Sequence, residues 1–192
     1  MNSAGKSLKK AVFLDRDGTL IIERNYLSSP DQVEILPGVI EGLKQLADAG
    51  YLLVIVTNQS GVGRGYFTLE RVAEVHDRMF ALLGLDRSFF TGVYVCPHAP
   101  DQHCTCRKPL PELALRAADE HGIDMAQSWM IGDKPADINL ARAAGTRAIL
   151  VRTGYGLENE SHPCVAEAAA LVADDMGHAA KLILAQPHSD KA

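Results

Sequence analysis

Apolar runs recur at wide spacing along the chain: Ala11–Leu14, Tyr51–Val56, Gly92–Val95, Ser128–Ile131 and Arg147–Val151. Most lack polar alternation, the pattern of strands covered on both faces in a parallel sheet. Between them the period changes. Val39, Ile40, Leu43, Leu46 and Ala47 keep helical spacing that starts behind Pro37 and stops at Gly50. Val72, Val75, Met79 and Leu82 do the same behind Thr68, a natural N-cap. Leu113–His121 and Ala136–Ala144 predict further helices closed by Gly122 and Gly145, Leu171–Ala173 a short last strand, and Met176–Leu184 a closing helix. Strands alternating with helices make right-handed βαβ units, so the predicted fold class is α/β with a doubly wound parallel sheet. No internal repeat or low-complexity linker interrupts the pattern. Residues 1–192 read as one domain with its core over about 11–185. Ligands of such sheets sit at the carboxyl ends of the strands, which is where chemistry is to be sought.

Composition narrows the function classes. Apolar residues at 47% and charged ones at 22% exclude a disordered chain, a collagen-like repeat and a coiled coil. A net charge of −5 with no basic block argues against binding nucleic acid through its backbone. The start carries Lys6, Lys9 and Lys10, but the apolar run behind them ends at Asp15, too short for a signal peptide. No apolar window is long enough to span a membrane. The expectation is a cytoplasmic protein without a membrane partner, and a monomer, since no amphipathic seam is left over.

The strand ends carry a constellation. Behind the first strand stands Asp15-Arg-Asp-Gly-Thr-Leu20, two acids at i and i+2 on one side of an extended segment, with Gly18 permitting a sharp turn. Behind the second stands Thr57-Asn-Gln-Ser60 and then Gly61-Val-Gly-Arg-Gly65, a hydroxyl and free backbone N–H groups able to cradle a phosphate. Arg107-Lys-Pro109 follows the third strand and its cysteine loop, offering two cations, and Gly132-Asp-Lys-Pro-Ala-Asp137 follows the fourth. Each alone could be a cap or a solvated turn. Acid pair, hydroxyl, cation and second acid on four successive strand ends are a reaction site.

In that order the motifs D-x-D-G-T, T-N-Q-S, R-K-P and G-D-K-x-x-D resemble the haloacid dehalogenase superfamily of phosphotransferases, from about Val12 to Val151. The resemblance implies a Rossmann-like fold and a Mg²⁺-dependent phosphatase. By motif, Asp15 is expected as nucleophile and Asp17 as general acid/base. Thr57 and Lys108 are expected to stabilise the phosphoryl group, and Asp133 to bind Mg²⁺ with Asp15 and the backbone carbonyl of Asp17. The physics agrees, because a carboxylate attacks a phosphate dianion only when cations offset the repulsion. The scheme requires the Asp15 and Asp133 side chains to lie close enough to share one ion.

Cys96-Pro-His98 and Cys104-Thr-Cys106 form C-x-H-x5-C-x-C, the donor set of a closed structural Zn²⁺ site in a loop spanning 96–106. Cys104 and Cys106 sit too close in sequence to bridge easily. His103 is a substitute ligand, ranked below His98 by the resemblance, and Cys164 reads as a free thiol in a polar region. The site would hold Arg107 and Lys108 against the pocket. Neither the interval from Asp17 to Thr57 nor that from Thr57 to Arg107 leaves room for a cap domain, so an open, capless pocket is expected.

A zinc loop joined to R-K-P narrows the resemblance to two capless subfamilies, phosphatases of a heptose bisphosphate in lipopolysaccharide core synthesis and phosphatases of histidinol phosphate. The absence of a dehydratase partner domain, the stretch T-N-Q-S-G-x-x-R-G-x-F-T and the Val151-Arg-Thr-Gly154 ending favour the first, hence a small phosphorylated sugar as substrate. For that reading the resemblance places Glu23, Arg24, Asn25, Tyr26, Thr57, Asn58, Gln59, Ser60, Arg107, Lys108 and Lys134 around the substrate. Arg107 suits a distal phosphate, with Arg24 and Arg64 as other candidate cations. The competing class is a catalytically silent phosphate- or partner-binding module, against which the second acid, Asp17, argues.

Overall fold

The structure, a computed structural model, describes residues 8–186. Lys6 and the outer ends of the 1–192 domain lie outside those residues. In chain order the elements are β1 (Ala11–Leu14), α1 (Val39–Asp48), β2 (Leu52–Asn58), α2 (Ser60–Gly63), α3 (Leu69–Leu83), β3 (Gly92–Cys96), α4 (Glu112–His121), β4 (Trp129–Gly132), α5 (Pro135–Ala144), β5 (Arg147–Val151), α6 (Gly156–Asn159), α7 (Pro163–Glu167), β6 (Leu171–Ala173) and α8 (Met176–Leu184). The six strands form one parallel sheet in the order β3-β2-β1-β4-β5-β6. Chain progression reverses between β1 and β4. Their splayed carboxyl ends are therefore the crevice such sheets use for ligands.

Alternate strand residues feed two cores, as a period of two requires. Val12, Leu14, Leu53, Ile55, Trp129, Ile131, Ile149 and Val151 pack beneath α1, α3 and α8. Ala11, Phe13, Val54, Val56, Met130, Ala148 and Leu150 pack beneath α4, α5 and α7. Two sequence expectations shift. In α3 it is Leu83 that is buried, whereas Leu82 is exposed. The buried stripe centres on Val72, His76, Met79 and Leu83, and at 100° per residue Leu82 falls on its edge. Cys164 is a free thiol but is not in polar surroundings, because α7 carries it into the second core.

Between β1 and α1 the chain leaves and re-enters the body through a narrow neck. Ile21 and Ile35 form an antiparallel bridge, Ile22 N–H donates to Glu34 O at 2.9 Å, and Leu36 N–H donates to Leu20 O at 3.1 Å. Beyond it stands only a short loop. The interval from Thr57 to Arg107 holds α2, α3, β3 and the start of the cysteine loop, so neither interval contains a cap domain.

Candidate active site

Asp15, the first residue past β1, stays zipped to β4 through its N–H to Ile131 O at 2.9 Å. That places its side chain beside Asp133, the first residue past β4. One carboxylate oxygen from each of Asp15, Asp133 and Asp137 lies within 4.8 Å of the others, so the condition that Asp15 and Asp133 share an ion is met. Lys108 enters from behind the cysteine loop and is buried with them. Its Nζ lies 2.8 Å from Asp15 Oδ1 and 2.7 Å from Asp137 Oδ1, and it donates to Val56 O at 2.8 Å. The Asp137 contact is an ion pair off the hydrogen-bond axis, so Asp137 Oδ1 receives no well-directed N–H. Lys108 is fixed at its backbone by Asn58, whose Oδ1 accepts the Lys108 N–H at 3.0 Å and whose Nδ2 donates to Lys108 O at 3.1 Å.

Burial alone would discharge Lys108, but the charges of Asp137 and Asp15 outweigh it and raise its pKa. Asp133 is pushed up to about 8, first by burial and then by the charge of Asp15. Its Oδ2 accepts the Tyr155 N–H at 2.9 Å, while Oδ1 is buried without a partner among the described residues. Gly18 and Gly154, both at positive φ, close over this carboxylate, and a Cβ on either would overlap it. An orphaned oxygen beside a second acid in an all-oxygen setting fits a hard divalent cation such as Mg²⁺. Asp137 is paired with Lys108, so the oxygens that fit such a cation are those of Asp15 and Asp133. The Asp17 carboxylate is not part of the cluster.

Asp17 is turned toward Arg16 and Gln59. Arg16 Nε donates to its Oδ2 at 3.0 Å and Nη2 to its Oδ1 at 2.9 Å, and Gln59 Nε2 adds a bond to Oδ2 at 2.9 Å. Burial opposes its ionisation, but the Arg16 charge and these hydrogen bonds prevail and its pKa is lowered. Gln59 Nε2 also donates to Thr57 Oγ1 at 2.8 Å. Thr57 therefore lies beneath Gln59, its lone pair occupied and its hydroxyl proton free to donate.

Asp15, Asp17, Lys108 and Asp137 border a cavity of about 290 Å³ with Glu23, Asn25, Tyr26, Asn58, Gln59, Ser60, Arg107 and Lys134 on its walls; Thr57 and Asp133, both buried, are not part of its lining. Lys134 pairs with Glu23 at 2.6 Å, joining the neck loop to the end of β4. Two expected cations are not brought in. Arg24 faces outward, paired with Glu34 and donating to Gln32 O at 3.1 Å, because the neck sets Glu34 across from it. Arg64 does not line the cavity either.

The cysteine loop is folded on itself. Cys96 Sγ lies 3.6 Å from Cys104 Sγ and 3.3 Å from Cys106 Sγ, and His98 Nδ1 lies 3.3 Å from Cys106 Sγ. These are not disulfide distances. A tetrahedral zinc with bonds of about 2.3 Å sets its thiolates roughly 3.7 Å apart. Burial, and then the neighbouring thiols, push Cys96 up to about 12, so its thiolate calls for a cation beside it. The four donors fit Zn²⁺, and His103 is not among them.

A family model described as HAD-hydrolase-like matches residues 105–179. A D-glycero-beta-D-manno-heptose-1,7-bisphosphate 7-phosphatase of Haemophilus ducreyi is 45% identical over 79% of this chain and 88% of its own length. One from Photorhabdus laumondii is 41% identical over 90% of this chain and 94% of its own. The chain belongs to this family of HAD-like phosphatases. A crystal structure of D,D-heptose 1.7-bisphosphate phosphatase from B. bronchiseptica, complexed with magnesium and phosphate, superposes with a TM-score of 0.83. It is 32% identical and covers 91% of this chain and 98% of that one.

Four residues of this HAD-like phosphatase that pack into or against the crevice escape the sequence reading. Asp137 was visible in G-D-K-x-x-D but not as the partner of Lys108. Arg16 passes for the spacer of D-x-D, though it is 1% exposed. His76 passes for one of many polar residues on α3. Tyr155 lies past β5, where its N–H meets Asp133 and its ring lies 4.9 Å from the Lys134 ammonium. Among the described residues no helix is long and apolar enough to cross a membrane.

Proposed function

We propose that this phosphatase removes the 7-phosphate of D-glycero-β-D-manno-heptose 1,7-bisphosphate, using Mg²⁺, through an aspartyl-phosphate on Asp15. The observation that carries the reading is the convergence of Asp15, Asp133 and Lys108 at the β1/β4 crevice, in a chain whose relatives bear that name. Asp15 Oδ1 is held by Lys108 and by the Arg16 N–H at 2.8 Å, which leaves Oδ2 to attack phosphorus. Lys108 and the Thr57 hydroxyl face the charge that spreads over the phosphoryl oxygens. Asp17 protonates the departing sugar oxygen, then accepts a proton from the water that releases phosphate from Asp15. A phosphate dianion brought beside Asp17 raises its affinity for that proton, offsetting Arg16. Asp15, Asp133 and the carbonyl of Asp17 would hold Mg²⁺, which would supply positive charge that lessens repulsion between carboxylate and ester.

Zn²⁺ on Cys96, His98, Cys104 and Cys106 is structural. The loop it would tie carries Arg107, whose Nη1 donates to His98 O at 3.3 Å and whose fork suits the distal phosphate. Glu23, Asn25, Tyr26 and Lys134 offer mixed hydrogen-bonding groups to a polyol. The protein acts as a monomer in the cytoplasm. The test compares kcat/KM for heptose 1,7-bisphosphate, fructose 1,6-bisphosphate and histidinol phosphate. The heptose ester is expected to lead by at least about tenfold, the size of a few lost hydrogen bonds. A preference for histidinol phosphate overturns the substrate and leaves the chemistry standing.

A further inference from the structure

Arg16 sits between the two acids of D-x-D, and no step above uses its side chain. Yet it is among the most enclosed residues of the molecule. Four of its N–H directions are accounted for: Nε and one Nη2 proton on Asp17, the other Nη2 proton on Gln59 Oε1 at 3.0 Å, and Nη1 against His76 Nε2 at 3.3 Å. His76 is itself buried, and burial followed by the Arg16 charge keeps it neutral, its pKa near 3. It thus presents a lone pair to the guanidinium from α3.

The geometry also distinguishes the two oxygens of Asp17. A carboxylate has about four acceptor directions. Oδ2 receives two N–H bonds, from Arg16 Nε and Gln59 Nε2, and is filled. Oδ1 receives one, from Arg16 Nη2, and retains a free direction. We propose that Arg16, backed by His76, is a positioning residue that aims the Asp17 carboxylate into the pocket and makes Oδ1 the oxygen that protonates the leaving group.

The proposal rests on the phosphatase reading above, with Asp17 as its acid. As the bond from Asp15 Oδ2 to phosphorus forms, the bond from phosphorus to the sugar oxygen breaks. Its electron pair stays on that oxygen, which takes the proton of Asp17 Oδ1. Water then attacks phosphorus, a water proton returns to Oδ1, and the electron pair of the phosphorus–Asp15 bond returns to Asp15. Loosening the fork leaves the nucleophile in place but blunts both proton delivery to the sugar and proton uptake from water; only the first enters kcat/KM, which reports events up to departure of the leaving group.

That separation gives the test. An alkyl leaving group such as the heptose oxygen needs the proton, whereas p-nitrophenolate departs without it. Steady-state kinetics on both esters would be measured for Arg16→Lys, which keeps the charge and loses the fork. His76→Leu, which removes the acceptor, and His76→Gln, which supplies one, complete the set. The expected result for Arg16→Lys is a fall of about 100-fold in kcat/KM on heptose bisphosphate, the lower end for a general acid. Its kcat/KM on p-nitrophenyl phosphate should stay within about fivefold. His76→Leu should show the same selectivity at roughly three- to tenfold, and His76→Gln should restore wild-type rates. Equal losses on both esters, or no loss on either, overturn the positioning role while the phosphatase reading stands. If Arg16→Lys does not fold, the His76 pair decides by the same criterion. Wild-type protein that hydrolyses neither ester overturns the reading and this inference together.

Discussion

Lys108 is the buried cation that Asp15 and Asp137 share, and its removal should separate stability from catalysis. At an effective dielectric near 20, each ammonium–carboxylate contact of this length is worth roughly 6 kcal/mol before desolvation is charged against it. After desolvation, breaking such a buried pair costs about 3–5 kcal/mol, because a charge is stranded. Lys108→Met keeps the aliphatic stem and strands Asp15 and Asp137 together. For a chain of this size that loss lowers Tm by roughly 6–20 °C. Asp137, already pushed up to about 6 by burial despite Lys108, should escape by taking a proton. Without Lys108 that pKa rises further, so the destabilisation is expected to be greatest at high pH and to shrink as pH falls toward about 6. Lys108→Met/Asp137→Asn should recover most of the lost Tm, yet both variants should be about 10²–10³-fold slower in kcat, the cost of one lost donor on the transition state. Calorimetric melting at pH 5 and pH 8, with phosphate release as the activity assay, decides the matter. An unchanged Tm in Lys108→Met, or recovery of activity in the double variant, would refute the reasoning.

Three further outcomes follow from the geometry. Chelation of zinc, or Cys106→Ser, should release about one equivalent of the metal and lower kcat/KM by at least about tenfold as Arg107 loses its hold on His98; full activity in metal-free protein counts against the loop's role. Because Asp133 is pushed up to about 8 by burial and by Asp15, binding Mg²⁺ below that pH displaces a proton. Apparent affinity should weaken by up to about tenfold per pH unit, and calorimetric titration giving a flat profile from pH 6 to 8 would contradict this. His76 has a folded pKa near 3 against 6.5 in the unfolded chain. Between those values the unfolded state binds more protons, so stability falls with falling pH by up to about 1.4 kcal/mol per unit. His76→Gln should flatten that slope in urea titrations at pH 4–6.

The strand-end motifs were legible because parallel strands deliver their chemistry within a few residues of their last apolar position. Asp15, Thr57 and Asp133 needed no tertiary knowledge, and the compact spacing of Cys96 to Cys106 was a local signal of the same kind. What escaped depends on contacts between distant segments. Nothing near Arg16 in sequence says that Gln59 and His76 will enclose it. Nothing near Arg24 says that Glu34 will draw it outward across the neck. Leu82 and Leu83 show the same limit on a smaller scale, since a helical stripe is wider than one residue and packing chooses its centre.

The paired backbone at Ile21–Ile35 behaves as a socket. The segment between its two sides, from Glu23 to Val33, is held by that bridge, by Leu27 and Val33 in the core and by the Glu23–Lys134 pair, while Asp15, Lys108 and Asp133 are anchored on the sheet. Selectivity can therefore drift along the exposed rim from Arg24 to Tyr26 while those fixings, and the bond-breaking apparatus behind them, stay in place.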